Sequence, residues 1–162
     1  MESQCRQIDI ESVLAKHADT VYKIALSQTK NKADAEDIFQ EVFLRLMRNK
    51  TEILTDEHMK AWLIRVSLNC CKNLFASAFR RKTDPLTEDI PYLPPESQGV
   101  LREVLALPKK YRTVIHLFYY EDYSIEEISK LLNTKAPTVK SQLFRGRQLL
   151  KEKLKGAFAF NE

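Results

Sequence analysis

Apolar residues recur along most of this chain at intervals of three and four positions, which is the spacing of one face of an α-helix. The pattern is clearest over residues 33–47, where it forms a broad stripe suited to packing on neighbouring helices. The stripe consists of Ala35, Ile38, Phe39, Val42, Phe43 and Leu46. Asn31 precedes it and can cap the helix, while Asp34 and Asp37 stand near the positive N-terminal end. The pattern therefore predicts an amphipathic helix.

Two further helices are predicted around this one, over residues 10–29 and from Asp56 to about Arg81. The apolar face of the first is made of Ile10, Val13, Leu14, Val21, Ile24 and Ala25. A single inner face is expected for the later helix, made of Met59, Trp62, Leu63, Val66, Cys70 and Leu74. A lone tryptophan on an apolar face is more often a core residue, but stacking of Trp62 on a nucleic-acid base stays open.

A proline-rich stretch separates these helices from the rest of the chain. Residues 82–99 hold four of the six prolines and few aliphatic side chains. Because proline lacks a backbone donor and restricts the preceding residue, neither a helix nor a central strand continues there. The stretch predicts a linker between an N-terminal domain, residues 1–81, and a C-terminal domain, residues 100–162. The predicted fold is all-α, with two small helical domains.

The C-terminal domain is predicted to contain a helix-turn-helix motif. Its four helices are expected over residues 100–107, 109–120, 124–132 and 137–155. Pro108 stops the first of them and directly precedes the second, where proline suits the start of a helix. Ser124 and Glu127 have the spacing of a capping box. Only a brief turn, residues 133–136, separates the last two helices, and the second of the pair is basic. This arrangement is typical of DNA-binding helix-turn-helix proteins.

Placed at 100° steps, the side chains of the last helix separate into three groups. An apolar arc of roughly 80° is expected to face the core. It consists of Val139, Leu143, Gly146, Leu150 and Leu154. Polar groups that suit the reading of base edges lie opposite the arc, and they are Thr138, Ser141, Gln142 and Arg145. A flanking ridge suits contact with phosphates and consists of Lys140, Phe144, Arg147 and Lys151.

The charge distribution also favours a polyanionic partner. The formal net charge is +4, with 26 basic and 22 acidic residues, and residues 135–155 hold seven basic side chains against the single acid Glu152. An ordinary amphipathic surface helix would explain the apolar arc equally well. It would not explain the polar side chains opposite that arc, directly after a capped helix and a tight turn. The pattern therefore predicts DNA binding by the last helix.

Composition excludes several other classes of protein. The three glycines are isolated, so no phosphate-cradling loop or dinucleotide-binding turn is present. The three cysteines are an odd number with two adjacent, which favours a reducing cytoplasm over a disulfide framework. The three histidines are scattered and no metal-binding spacing occurs. No catalytic constellation, cofactor, metal, signal peptide or membrane insertion is expected, and the enzyme alternative is set aside.

Three segments of the sequence resemble an extracytoplasmic-function (group IV) sigma factor of bacterial RNA polymerase, in the sigma-70 family. They are DAEDIFQEVF at residues 34–43, WLIRVSLN at residues 62–69 and TVKSQLFRGR at residues 138–147. The resemblance covers nearly the whole chain, from Ile10 to Leu154. It implies two DNA-binding domains, the sigma-2 helical bundle and the sigma-4 helix-turn-helix, joined by a linker that threads through core polymerase.

The resemblance also implies partners and site residues. Sigma-2 would dock on core RNA polymerase through its second helix, at Asp37, Gln40, Glu41, Leu44, Arg45 and Arg48. The third helix and the loop before it would recognise and open the minus-10 promoter element, with Thr51, Asp56, Arg65, Asn69, Lys72 and Arg80 as candidates. Sigma-4 would recognise the minus-35 element, and Lys140, Ser141, Phe144 and Arg145 occupy the positions where the family meets DNA. Members often have an anti-sigma protein that holds them inactive.

The sequence departs from the family pattern at three positions of the last helix. Pro137 replaces a common glycine, Gln142 a common arginine and Gly146 the usual alanine. Because Gln142 is neutral, either a phosphate contact is lost or a preference for adenine is gained. The alternative function is a helix-turn-helix regulator that binds promoter DNA without entering polymerase. That alternative accounts for the last helices but leaves the docking pattern and the linker without a purpose.

Overall fold

The structure is a computed structural model that describes residues 9–49, 53, 55–81 and 100–158. Within these residues the chain forms helices and no strands, as the all-α prediction requires. The helices in chain order are α1 (Ile10–Thr29), α2 (Lys32–Arg48), α3 (Asp56–Arg81), α4 (Val100–Leu105), α5 (Lys109–Ile115), α6 (Ile125–Leu132) and α7 (Ala136–Phe158). A π-helical segment, His116–Tyr120, directly follows α5. The proposed linker, residues 82–99, lies outside the described residues.

Helices α1, α2 and α3 form an N-terminal bundle around the apolar stripes that the sequence predicts. Its buried side chains include Val21, Ala35, Val42, Leu46 and Leu63. Both later helices begin at capped positions. The Asn31 side chain accepts a hydrogen bond from the Asp34 amide at 3.0 Å, as predicted. Thr55 accepts one from the His58 amide at 3.0 Å, a cap that the sequence analysis did not identify.

The turn into α5 corrects the predicted bounds of the preceding helix. The sequence predicted a helix over residues 100–107, but α4 ends at Leu105. The buried Arg112 explains the early end, because its Nη1 donates to the carbonyl oxygens of Leu105 at 3.2 Å and Leu107 at 3.0 Å. The guanidinium thus satisfies carbonyls that a continuing helix would have used. Burial lowers the pKa of Arg112 to about 10.

The end of the next helix is a second correction. The sequence predicted one α-helix over residues 109–120, whereas its last five residues form a π-helix. The wider turn is closed by hydrogen bonds from the Glu121 amide to the His116 carbonyl at 3.2 Å and from the Tyr123 amide to the Leu117 carbonyl at 3.0 Å. Hydrophobic periodicity does not distinguish the two helix types over a single turn, and π-helical turns are frequent at functional sites.

The C-terminal helices α4–α7 pack directly on the N-terminal bundle. A second apolar core joins Ile24 of α1 and Ile64 and Leu68 of α3 to side chains of the C-terminal helices. Its C-terminal members include Val104, Leu107, Val114, Ile115 and Leu117. Helix α3 is therefore buried on two faces, whereas the sequence analysis predicted one. Because the sequence predicts two separate domains, no partner was expected for the second face of α3.

Polar contacts across this interface surround one buried carboxylate. Glu121 is only 6% exposed, and its Oε2 lies 3.2 Å from Nζ of Lys60. The Thr20 hydroxyl donates to the same oxygen at 3.5 Å, and Nε2 of His116 lies 3.5 Å from Oε1. Groups from α1, α3 and the π-helical segment thus converge on Glu121. A charge buried to this extent requires such partners, so the carboxylate fixes how the two halves meet.

Candidate nucleic-acid interface

Local hydrogen bonds fix both ends of α6, the helix that precedes the turn into α7. The Ser124 hydroxyl accepts from the Glu127 amide at 3.1 Å, and the Glu127 carboxylate accepts from the Ser124 amide at 3.2 Å, which confirms the predicted capping box. Asn133 ends α6 in the left-handed conformation, at φ 51°. The Thr134 amide then donates to the Ser129 carbonyl at 3.0 Å. The capping box thus fixes the start of α6, and the bonds at Asn133 and Thr134 fix the turn that leads into α7.

Helix α7 buries the predicted apolar arc against α5 and α6. Val139 and Leu143 are fully buried, Gly146 is buried, and Leu150 and Leu154 are half-buried. A β-carbon placed on Gly146 would lie 3.0 Å from Cγ1 of Ile115. The glycine that departs from the family pattern therefore permits a close approach of α5 and α7.

The opposite face of α7 leaves nearly all of the predicted minus-35 residues accessible. The exposed ones are Thr138, Lys140, Ser141, Phe144, Arg145 and Arg147. Gln142 is only half-buried rather than exposed, because it lies between this face and the apolar arc. Phe144 is 61% exposed, a large apolar group among cations. The face thus offers cations, a hydroxyl and an apolar group, which are the groups that contact DNA phosphates and base edges.

Two tyrosines outside α7 contact its arginines, and the sequence analysis assigned neither a role. Nε of Arg147 donates to the Tyr119 hydroxyl oxygen at 2.5 Å. Arg145 and Lys110 donate hydrogen bonds to the Tyr111 hydroxyl. Burial raises the pKa of Tyr111, but these hydrogen bonds outweigh it and the pKa lies below its usual value. No local sequence signal marks these pairs, because each joins α7 to a segment about 30 residues earlier.

The predicted polymerase-binding face lies on the outer side of α2. Asp37, Gln40 and Arg48 are exposed there, and Leu44 is 44% exposed. The remaining two candidates pair with each other within the helix, since Nε of Arg45 lies 3.0 Å from Oε1 of Glu41.

Met47 enlarges the apolar part of this face and was missed by the sequence analysis. It is 65% exposed and follows Leu44 by three positions, so the two side chains are neighbours on the helix. The three-residue spacing was the available signal. An exposed pair of large apolar side chains beside charged groups is suited to a partner helix.

The predicted minus-10 residues are distributed over α3 and the loop before it. Arg65, Asn69 and Lys72 are exposed and follow the i, i+4, i+7 spacing of one helix face. Thr51 and the side chain of Arg80 lie outside the described residues. Asp56 begins α3 and its carboxylate accepts a hydrogen bond from Nζ of Lys16 at 2.9 Å.

The contact between Lys16 and Asp56 joins the start of α3 to α1. The hydrogen bond from Lys16, followed by the charge of that lysine, lowers the pKa of the Asp56 carboxyl below its usual value. The Asp56 side chain is still exposed despite this ion pair.

The described part of the chain has neither a metal-binding cluster nor a membrane-spanning helix. No group of three or more histidine, cysteine or acidic side chains there could hold a metal ion. None of the helices over the described ranges is both long and apolar enough to cross a membrane.

Comparisons with known proteins cover both halves of the chain. Residues 13–82 match the family described as Sigma-70 region 2, and residues 97–150 match Sigma-70, region 4. SigW of Bacillus subtilis, an ECF RNA polymerase sigma factor, is 30% identical, with 86% of this chain and 85% of SigW aligned. SigM of the same organism is 32% identical, with 88% of this chain and 93% of SigM aligned. SigE of Mycolicibacterium smegmatis is 31% identical, and this chain spans 61% of its length.

Solved structures share the fold. The sigma factor RpoE of Bartonella quintana, crystallised in complex with the anti-sigma factor NepR, matches with a TM-score of 0.74 and 22% identity, over 91% of this chain and 97% of RpoE. CnrH, in complex with the cytosolic domain of CnrY, matches with a TM-score of 0.63 and 21% identity, over 91% and 88% of the two chains. The chain belongs to the extracytoplasmic-function RNA polymerase sigma factors of the sigma-70 family, the polymerase subunits that direct transcription to specific promoters.

Proposed function

We propose that this chain binds core RNA polymerase as a group IV sigma factor and directs it to promoters through a minus-35 and a minus-10 element. The observation that carries the proposal is the exposed face of α7, which presents Lys140, Ser141 and Arg145 directly after a capped helix and a tight turn. A helix in this position can enter a major groove with its N-terminal half against the bases.

Within α7 the roles divide by position. Ser141 and Arg145 point away from the core and are placed to contact base edges, and Phe144 is placed to contact a thymine methyl group. Lys140 and Arg147 lie on the flanking ridge and contact phosphates. Thr138 and Gln142 complete the minus-35 surface. Half-burial of Gln142 restricts its amide to the edge of that surface, which favours a single base contact.

Helix α3 and the loop before it form the proposed minus-10 surface. Arg65, Asn69 and Lys72 lie on one exposed face, where two cations flank an amide. This face suits a single strand, because cations follow the backbone while the amide bonds a base edge. Asp56 and Thr51 would bond a base extruded from the duplex, and Arg80 would extend the basic surface. Trp62 packs half-buried against the N-terminal core, which supports a structural role for it.

The exposed face of α2 is the proposed contact with core polymerase. Asp37, Gln40, Leu44 and Arg48 offer a mixed polar and apolar patch along one side of the helix. The Glu41–Arg45 pair borders the patch and helps to fix its charge pattern. A promoter-binding regulator would have no use for such a patch, so the alternative of a regulator acting without polymerase is not favoured.

Promoter binding would require the two halves to separate. The numbers in their names, 35 and 10, place the two elements about 25 base pairs apart, which is about 85 Å at the 3.4 Å rise of B-DNA. A compact chain of this length has a radius of gyration of about 15 Å. We therefore expect residues 1–81 and residues 100–162 to act as separate domains, joined by a linker over residues 82–99. The hydrogen bond of 2.7 Å from Gln28 to Thr113, which now joins the two halves, would then break.

Regulation by a bound inhibitor is a further part of the proposal. RpoE and CnrH, which share this fold, are seen with an anti-sigma factor and with the cytosolic domain of CnrY respectively. We infer that an anti-sigma protein binds this chain in the cytoplasm. No cofactor or catalytic group is assigned, since the polymerase supplies the chemistry.

Run-off transcription tests the proposal. Core polymerase would be combined with the full chain and a library of genomic fragments, with core polymerase alone as the control. We expect defined start sites preceded by shared minus-35 and minus-10 sequences, seen only when the chain is present. Absence of start-site selection would refute the function, and tight promoter binding by the chain without core polymerase would favour the regulator.

A further inference from the structure

Arg147, on the flanking ridge of α7, is held against two aromatic rings. Its Nε donates to the Tyr119 hydroxyl oxygen at 2.5 Å. Its guanidinium carbon lies 5.2 Å from the centre of the Phe118 ring and 5.5 Å from that of Tyr119. The two rings meet edge to face, with their centres 4.9 Å apart. Together these contacts select one direction for a side chain that would otherwise sample many rotamers.

The π-helical segment sets the position of both rings. Phe118 and Tyr119 belong to His116–Tyr120, whose wider turn changes the angle at which successive side chains leave the helix. Tyr119 is directed towards Arg147, whereas its neighbour Tyr120 stacks on His116 at 5.3 Å. Two adjacent tyrosines, both exposed, therefore have different partners. The pair offers a matched comparison within the same chain.

The contact between Tyr119 and Arg147 leaves a neutral and a cationic hydrogen-bond donor next to each other. A tyrosine hydroxyl has one hydrogen and two lone pairs, so accepting from Arg147 leaves the hydrogen of Tyr119 free to donate. Only one of the five guanidinium N–H groups is used, and four remain on the terminal nitrogens. Accepting from a cation also polarises the hydroxyl and makes it a better donor. A neutral donor beside a cationic one matches two oxygens of a phosphodiester.

We propose that Tyr119 and Arg147 together bind one phosphate of the minus-35 duplex, the tyrosine through its hydroxyl hydrogen and the arginine through its terminal N–H groups. This assignment rests on the proposed function and adds to it a phosphate-binding side chain, Tyr119, from outside α7. The ridge continues along the helix through Lys140 and Lys151, which are also exposed. Because the site contacts only the backbone, it strengthens binding without selecting sequence.

A double-mutant cycle with the full chain tests the assignment. The probe is a fluorescein-labelled 40-base-pair duplex of mixed sequence, titrated at several salt concentrations. We expect Arg147→Ala to weaken binding and to lower the salt slope by about one. Tyr119→Phe, which keeps the ring but removes the hydroxyl, should weaken binding about threefold and leave the slope unchanged. The same change in an Arg147→Ala background should have little effect, and Tyr120→Phe should bind as the unmodified chain does.

The outcomes separate this assignment from the proposed function. Unchanged affinity of Tyr119→Phe, or an equal effect with and without Arg147, would overturn the phosphate site. A shift in thermal unfolding that accounts for the loss of binding would also overturn it, because the pair would then be structural. The mixed-sequence duplex does not depend on promoter selection, so these results stand whatever the run-off experiment shows.

Discussion

Lys60 of α3 binds Glu121, which directly follows the π-helical segment, through two contacts. Its Nζ donates to the Glu121 main-chain carbonyl oxygen at 3.0 Å and lies 3.2 Å from Oε2 of the carboxylate. The two residues are 61 positions apart in the chain. One lysine therefore connects the two halves through both the backbone and the side chain of a buried residue.

Loss of the Glu121 charge is expected to weaken this interface. Glu121→Gln should lower the free energy of unfolding by about 1–3 kcal/mol, because Lys60 loses its charged partner and one of the two carboxylate oxygens is replaced by an NH2 group that cannot accept a hydrogen bond. Urea unfolding measures the change. Lys16→Met, which removes an exposed ion pair with Asp56 of 2.9 Å, is the matched control and should cost less than about 1 kcal/mol. Equal costs for the two variants would contradict a special role for Glu121.

His17 is expected to make the fold sensitive to mild acid. Burial lowers its pKa from 6.5, outweighing the opposing charge of Asp56, so the folded state favours the neutral imidazole. The unfolded chain binds the proton first as pH falls below about 6.5, which makes stability decrease there and level off below the folded pKa. Urea unfolding between pH 7.5 and pH 5 should show this decrease, and His17→Gln should reduce it. An unchanged profile in that variant would assign the effect to another group.

Gly146 is expected to tolerate one added carbon and no more. Gly146→Ala gains about 1 kcal/mol of helix propensity, which offsets the cost of a β-carbon 3.0 Å from Ile115. We expect a net change below about 1 kcal/mol for Ala, but a loss above about 2 kcal/mol for Gly146→Val, because the extra carbons cannot fit against Ile115. Thermal unfolding of both variants tests this, and a harmless valine would show that α5 and α7 can move apart.

Arg145 and Lys151 are expected to act differently on DNA. Arg145→Ala should reduce transcription mainly by relaxing base preference in the minus-35 element, because its guanidinium is placed to reach base edges. Lys151→Ala should weaken binding evenly across sequences and lower the salt slope by about one, because it contacts phosphate. Binding to matched and mismatched promoters by the assembled polymerase measures both effects. Equal losses at both promoters for both variants would contradict this division.

Asp37 is expected to be essential for binding to core polymerase. Asp37→Arg reverses a charge at the N-terminal end of the exposed α2 face and should abolish association with core polymerase while leaving helix content and unfolding temperature unchanged. Asp19→Arg is the control, since Asp19 is exposed on α1 outside this face. Pull-down with core polymerase and circular dichroism measure the two properties. Normal pull-down of the Asp37 variant would refute the docking face.

Local sequence determined the helices and most of the candidate DNA surface. The apolar spacing predicted α1, α2, α3 and α6 to within a residue or two, and the caps at Asn31 and Ser124 were identified correctly. The division of α7 into a buried arc and an exposed face also followed from the helical period. These features depend on residues within one or two turns of each other, so they are encoded locally.

Tertiary structure alone decided how the halves meet and which groups support the exposed cations. The burial of Ile64 and Leu68, the contact between Lys60 and Glu121 and the contact between Tyr119 and Arg147 all join segments 28 or more positions apart. The π-helical turn also escaped the sequence analysis, because a single wider turn leaves hydrophobic spacing almost unchanged. Periodicity shows that a face is apolar or charged, but only packing of distant segments determines what that face contacts.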